Sequence, residues 1–147
     1  MTTVPDDQPC PHCGRWNNRA VTVDALFFEG DNILLMKRKE NPFAGYWALP
    51  GGYLEKNQTT TEAALAEAWQ EARMRGRNPR LVGIFDKPER HPQQAISIAW
   101  AFDSGPGSVP SVGDPKEVEA VAWWPLNGLP PLAFDHAEII ATWLARR

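Results

Sequence analysis

Residues 49–74 read LPGGYLEKNQTTTEAALAEAWQEARM, and this stretch decides what the rest of the chain has to be. It opens on Gly51 and Gly52, paired glycines that let the backbone approach a ligand and take positive φ. They close a loop-like run, Asn41 to Leu54, punctuated by Pro and Gly with aromatics between. Thr59 with Glu62 three residues on is a capping box and predicts a helix start. Ala63, Ala64, Leu65, Ala66, Ala68, Trp69 and Ala72 suit that helix, and Gly76 stands where a left-handed residue would end it. Glu67, Gln70 and Glu71 fall on one face of it, because positions i, i+3 and i+4 are neighbours on a helix surface.

Working outward, Ala20–Glu29 (AVTVDALFFE) is rich in β-branched and aromatic residues. Gly30, Asp31 and Asn32 make a tight turn, and Asn32–Arg38 (NILLMKR) returns as a second strand. Beyond the helix, strands are expected at Arg80–Phe85, Gln94–Phe102 and Val118–Trp124, with a Gly/Pro/Ser-rich loop from Ser104 to Pro115. A last helix starts at Asp135, where Asp135 and Glu138 form a second capping box and Ile139, Ile140, Trp143 and Leu144 a buried stripe. Hairpin, loop, helix, strands, helix is a mixed α/β arrangement. It shows no repeat and no linker long enough to divide it, so residues 1–18 are an N-terminal segment and 19–147 the domain.

The 147 residues suffice for one domain with its own core, and 43% hydrophobic with 22% charged residues is ordinary globular composition. A net charge of −3 gives no strongly cationic surface for nucleic acid; an anionic ligand needs local basic groups or a metal. The start, MTTVPDDQPC, lacks the apolar core of a signal peptide. No apolar run approaches the ~18 residues of a membrane span. A cytoplasmic protein without a membrane partner is the expectation. Cys10 and Cys13, in CPHCG, look like one knuckle of a zinc ribbon, yet tetrahedral zinc wants four ligands and no second CxxC follows. Three readings stay open: a relic knuckle with free thiols, a zinc shared between two chains, or a redox pair.

Residues 49–74 resemble the Nudix box, G-x5-E-x7-R-E-U-x-E-E-x-G-U with U a bulky aliphatic residue. GYWALPGG before the helix, LVGIFD after it, and AWWPL and PLAFDHAEII near the end extend the resemblance from about Arg19 to the C-terminus. The flanking text looks most like ADP-ribose pyrophosphatases and their zinc-ribbon-bearing relatives. The resemblance implies the Nudix fold, a mixed sheet sandwiched between helices, in a family that is often dimeric. It also implies Mg²⁺ or Mn²⁺ on the helix carboxylates, one of which serves some members as the base. The chemistry suits that: a divalent cation neutralises a pyrophosphate and can activate water, and hard cations want oxygen ligands.

With Gly52 as the first box glycine, Glu67 and Glu71 keep their carboxylates. Gln58 replaces the first Glu, Ala66 the Arg, Gln70 the middle Glu and Arg73 the Gly. A divalent ion about 4 Å from a carboxylate gains on the order of 8 kcal/mol at an effective dielectric near 20. Much of that is cancelled by desolvation, but losing one ligand is expected to lower metal affinity by orders of magnitude. In the family the Arg helps to orient the adjacent glutamate, so Glu67 loses a guide at Ala66. Gln70 remains as a weak neutral ligand, and Glu117 or Glu119 is the candidate further ligand from beyond the box.

Lys37 and Arg38, at the end of the second strand, are candidates for gripping phosphate. Gly51, Gly52 and Glu55 shape the ligand loop, and Phe28, Phe43 and Tyr46 are candidates for stacking on a nucleoside base. Trp47, Trp69 and Trp143 are assigned to packing. Arg73, Arg75, Arg77 and Arg80 are assigned to the negative end of the helix dipole, His91 to a solvated loop and His136 to a first helical turn. The function expected is hydrolysis of a nucleoside diphosphate linked to another group, ADP-ribose or a nucleotide sugar, with a weakened cation site. The alternative is a Nudix-fold protein that binds a nucleotide or metabolite without turning it over.

Overall fold

The computed structural model describes residues 6–147. Its strands are β1 (Val21–Glu29), β2 (Asn32–Arg38), β3 (Trp47–Ala48), β4 (Gly51–Tyr53), β5 (Gly76–Phe85), β6 (Ile96–Ser104) and β7 (Val118–Pro125), and its helices α1 (Thr60–Ala72) and α2 (His136–Arg146). They form one connected seven-stranded sheet in which β1 is the pivot. β1 runs parallel to β6 from Val21 to Phe27 and pairs antiparallel with β4 through Thr22–Asp24. Only at Phe28 and Glu29 does it join β2 in the expected hairpin. β2 carries β3 and β7 on its two edges. β1 therefore passes from β4 to β2 along its length, and the interior opens where those neighbours part.

Both faces of β1 are covered, which is why it reads as nearly continuous apolar sequence. Val23, Ala25 and Phe27 pack under α1, with Ala63, Ala64, Ala68, Ala72, Met74 and Phe102. The alanine-rich face lets α1 lie close to the sheet. Leu26 joins Ile33, Leu35, Val82 and Ala99 beneath Ile139 and Ile140 of α2. Burying each large aliphatic side chain contributes about 1.5–3 kcal/mol. The result is the α/β/α layering expected.

Thr59 caps α1 as read from the sequence: its hydroxyl accepts the Glu62 N–H, and the Glu62 carboxylate accepts the Thr59 N–H. The other helix signals resolve differently. The left-handed residue that ends α1 is Arg73, at φ 54°, its N–H bonded to carbonyls of the last turn. Gly76 instead begins β5, four residues before the expected start, where a Cβ would lie 2.9 Å from that of Phe102. At α2 the Asp135 side chain makes no capping bond. Both its oxygens accept from Arg90, at 2.9 and 2.7 Å, a charged bidentate pairing that outcompetes the cap. Trp69 is 39% exposed rather than core, with the guanidinium groups of Arg73 and Arg75 over its ring. Arg80 pairs with Asp103, and no basic residue lies within the last turn of α1.

Candidate functional site

The close approach of β4 to α1 builds the site. Glu71 is only 4% exposed, and its Oε1 accepts the N–H of Gly51 at 2.8 Å. One turn earlier, Glu67 lies against Gly52, where a Cβ would come within 2.7 Å of its carboxyl carbon. A Cβ on Gly51 would strike the Val23 carbonyl and the Asp24 carboxylate. The glycine pair is thus required by close packing on both sides, which the sequence reading attributed to ligand approach.

Among the described residues no Lys or Arg side chain pairs with Glu67 or Glu71. Burial, then the charges of Glu117 and Glu55, push the Glu67 carboxyl up from its usual value to about 7. Glu71 is raised well above its ordinary range, first by burial, then by Glu67, with Glu117 and Asp24 adding to the effect. Glu117 therefore belongs electrostatically to the helix pair. Glu119 lies apart, its carboxylate 3.5 Å from Lys37 Nζ at the surface. Gln70 is exposed, and its carbonyl faces Gly113. Gln58 turns back to accept the Glu55 N–H at 3.0 Å. Among the described residues no three His, Cys, Asp or Glu side chains are drawn into a single ready-made ligand set. The donor chemistry, buried carboxylates lacking a positive partner, nevertheless fits a hard divalent cation.

Beside the carboxylates opens a cavity of about 370 Å³. Gly51, Gly52 and Arg38 line it, as do Asp24, Arg90, His91, Phe134 and His136, none of which the sequence reading had placed in a site. Arg38 lies over the Phe134 ring at 5.2 Å and donates to the Pro42 carbonyl, with no carboxylate partner among the described residues. The His91 and Phe134 rings stack within 9° of parallel, centroids 5.1 Å apart, so His91 is part of the cavity wall rather than solvated loop. His136 is buried, and its Nδ1 accepts the Leu49 N–H at 3.0 Å.

The proposed stacking residues scatter. Phe43 packs on Phe134 behind the cavity wall, Tyr46 is exposed beside it, and Phe28 lies further along β1 under Arg147, packed with the α2 cluster and outside the cavity lining. One signal for the missed residues was available: Asp24 interrupts the apolar run VTVDALFF at a position both faces of which are covered. Cys10 and Cys13 are free thiols in a turn closed by the Gly14 N–H on the Cys10 carbonyl. No further ligand gathers there among the described residues, so the structure does not support zinc at this pair.

A glycine loop set against a carboxylate-bearing helix, on a mixed sheet between helices, defines a Nudix-type domain. The family model of the NUDIX domain matches residues 18–144, and the chain belongs to that family. It is 40% identical over 126 residues to an ADP-ribose pyrophosphatase of Methanocaldococcus jannaschii, covering 85% of this chain and 73% of that one. Two solved structures are similar. One is an ADP-ribose pyrophosphatase from Streptococcus suis, with a TM-score of 0.73 and 27% identity, covering 88% of this chain and 92% of that one. The other is a bifunctional NMN adenylyltransferase/ADP ribose pyrophosphatase from Francisella tularensis, complexed with AMP and a manganese ion. It has a TM-score of 0.76 and 28% identity, covering 88% of this chain but only 42% of that one.

Proposed function

We propose that the protein hydrolyses the diphosphate of ADP-ribose or a related nucleoside diphosphate derivative, giving AMP and ribose 5-phosphate from ADP-ribose itself. The observation that carries this is the convergence of Glu67 and Glu71 on the Gly51–Gly52 edge of the cavity. The names of the relatives, ADP-ribose pyrophosphatases from two organisms and a third bound to AMP and manganese, support the substrate.

Glu71 and Glu117, with Glu67 beside them, would hold Mg²⁺ or Mn²⁺. Such a cation supplies neutralising charge for the diphosphate and lowers the pKa of water. The rest falls to the chain. Arg38, at the cavity edge and without an acidic partner among the described residues, binds phosphate. Glu67, at the Gly52 edge of the cavity, is placed to accept a proton, the cation's charge favouring its ionised form. A water oxygen bonds to one phosphorus, the bond from that phosphorus to the bridging oxygen breaks with the phosphate monoester of the other half as leaving group, and Glu67 takes the water's proton. Gln58 and Gln70 leave two carboxylates fewer than a full box and Ala66 leaves Glu67 without its orienting partner, so the cation is held more weakly and needs a higher concentration.

The test is product release from ADP-ribose, nucleotide sugars, dinucleotides and nucleoside triphosphates, each with Mg²⁺ and Mn²⁺. ADP-ribose should be turned over fastest. Saturable binding of ADP-ribose with no turnover at any cation concentration would favour a binding protein instead.

A further inference from the structure

The loop between β6 and β7 folds back over the end of α1, and between loop and helix lies a second cleft, of about 500 Å³. Its floor is Trp69, which stands two residues, about 200° of helical turn, from both Glu67 and Glu71 and so faces away from them. Arg73, Arg75, Ser108, Val109 and Ser111 line it too, and among the described residues no carboxylate does. The guanidinium carbons of Arg73 and Arg75 lie 5.1 and 4.1 Å from the centroid of the Trp69 ring, and neither group pairs with an Asp or Glu among the described residues. In a chain of net charge −3, two cations gathered on one cleft call for a counter-charge.

Complementing the helix dipole does not account for them. Backbone donors already meet the carbonyls at the end of α1: the Met74 N–H bonds to Ala68, that of Arg73 to Trp69, that of Gly113 to Glu71 and that of Ser111 to Ala72. Arg73 spends part of its fork on the Trp69 and Gly113 carbonyls, at 3.4 and 3.3 Å. Arg75 is anchored through its backbone, whose N–H donates to Ser108 Oγ at 3.4 Å. Its guanidinium rests on the Trp69 ring with its N–H donors turned to no acceptor among the described residues. Ser108 Oγ accepts in that bond, so its own proton is left to donate. Stacking fixes the direction of both forks, so little freedom is lost when they take a ligand. Two guanidinium groups and a hydroxyl donor complement a compact group with several anionic oxygens, and phosphate is that group. Val109, exposed on the rim, offers apolar contact to whatever the phosphate carries.

We infer that this cleft is a second anion site, separate from the Glu67–Glu71 cavity, and that it takes a phosphate group, free or esterified, between Arg73 and Arg75. It stands whether or not the chain hydrolyses ADP-ribose. The test is a titration of the isotope-labelled protein with inorganic phosphate, followed by its amide resonances. Chelator is present throughout, so that no cation draws phosphate to Glu67 and Glu71. Saturable shifts are expected at Gly107, Ser108, Ser111 and the Trp69 indole. Arg75→Gln should raise the midpoint at least about tenfold, the worth of one hydrogen bond to a charged group. Arg77→Gln, which removes an exposed arginine outside the cleft, should move it by less than about twofold, screened surface charge contributing little. Ribose 5-phosphate, titrated in parallel, separates the sources. A midpoint at or above that of phosphate assigns the site to free phosphate, and a lower one to a phosphate ester; either sustains it. The inference is overturned by shifts that do not saturate, by the same shifts in sodium chloride at equal ionic strength, or by equal losses in Arg75→Gln and Arg77→Gln. Absence of any shift at the cleft overturns it as well.

Discussion

Removing a site carboxylate should stabilise the cation-free protein. Glu67 titrates near 7 in the folded chain against 4.5 for an ordinary glutamate. A carboxyl raised in this way binds its proton more tightly when folded, so its contribution to stability is full below about pH 4.5 and is lost as pH rises through about 7. At about 1.4 kcal/mol per pH unit, the displacement corresponds to about 3 kcal/mol of destabilisation above pH 7. Glu67 is partly open to solvent, and screening reduces the figure to about 1–2 kcal/mol. Glu67→Gln removes the charge while keeping the shape. In chelator at pH 8 it should therefore raise the unfolding temperature by about 3–6 °C, the shift such energies produce in a domain of this size. At pH 5, where the native glutamate is protonated, the two proteins should melt together. The assay is thermal unfolding of both proteins at pH 5 and pH 8. Equal melting at pH 8, or a less stable variant, would refute the account of an uncompensated carboxylate cluster.

Other substitutions probe the surrounding parts. Mg²⁺ added at pH 8 should raise the melting temperature of the native protein more than that of Glu67→Gln, since binding the folded state alone stabilises it. Gly52→Ala places a methyl against the Glu67 carboxyl; turnover should fall about 100-fold through misplacement while circular dichroism shows a folded chain. Arg73→Gly relieves a left-handed conformation that costs a side-chain residue about 1–2 kcal/mol. Because it also gives up the contact with Trp69, urea unfolding should show a net gain of about 0.5–1 kcal/mol. Restoring the box with Gln58→Glu, Ala66→Arg and Gln70→Glu should lower the Mg²⁺ concentration for half-maximal activity by about tenfold or more, one charge–carboxylate contact being worth several kcal/mol before desolvation.

Where sequence signals were local, they carried through to structure. The Thr59–Glu62 box set the start of α1 because its two bonds need nothing beyond four residues. The spacing of Glu67 and Glu71 put them on one face for the same reason. The signals that misled were those for which a distant group competes. Asp135 had the spacing of a cap, but Arg90, 45 residues earlier, took both its oxygens. Gly76 had the composition of a helix terminator, but its lack of a side chain serves the packing of Phe102. The cavity was the least legible part. Asp24, Ser97 and His136 come from β1, β6 and α2, and only pairing in register brings them together. Phe28 shows the converse: alternation along β1 gives it the face that Asp24 also occupies, but four residues further along the strand, where it packs with the α2 cluster away from the cavity.

The measurement that bears most directly on the central claim is the steady-state rate of ADP-ribose hydrolysis at saturating Mn²⁺ for the native protein, Glu67→Gln and Glu71→Gln, prepared identically. The account predicts turnover by the native chain and a loss of at least about 100-fold in each variant, the scale of removing a general base, with all three folded. Turnover that persists in both variants would contradict a site built on the carboxylate face of α1.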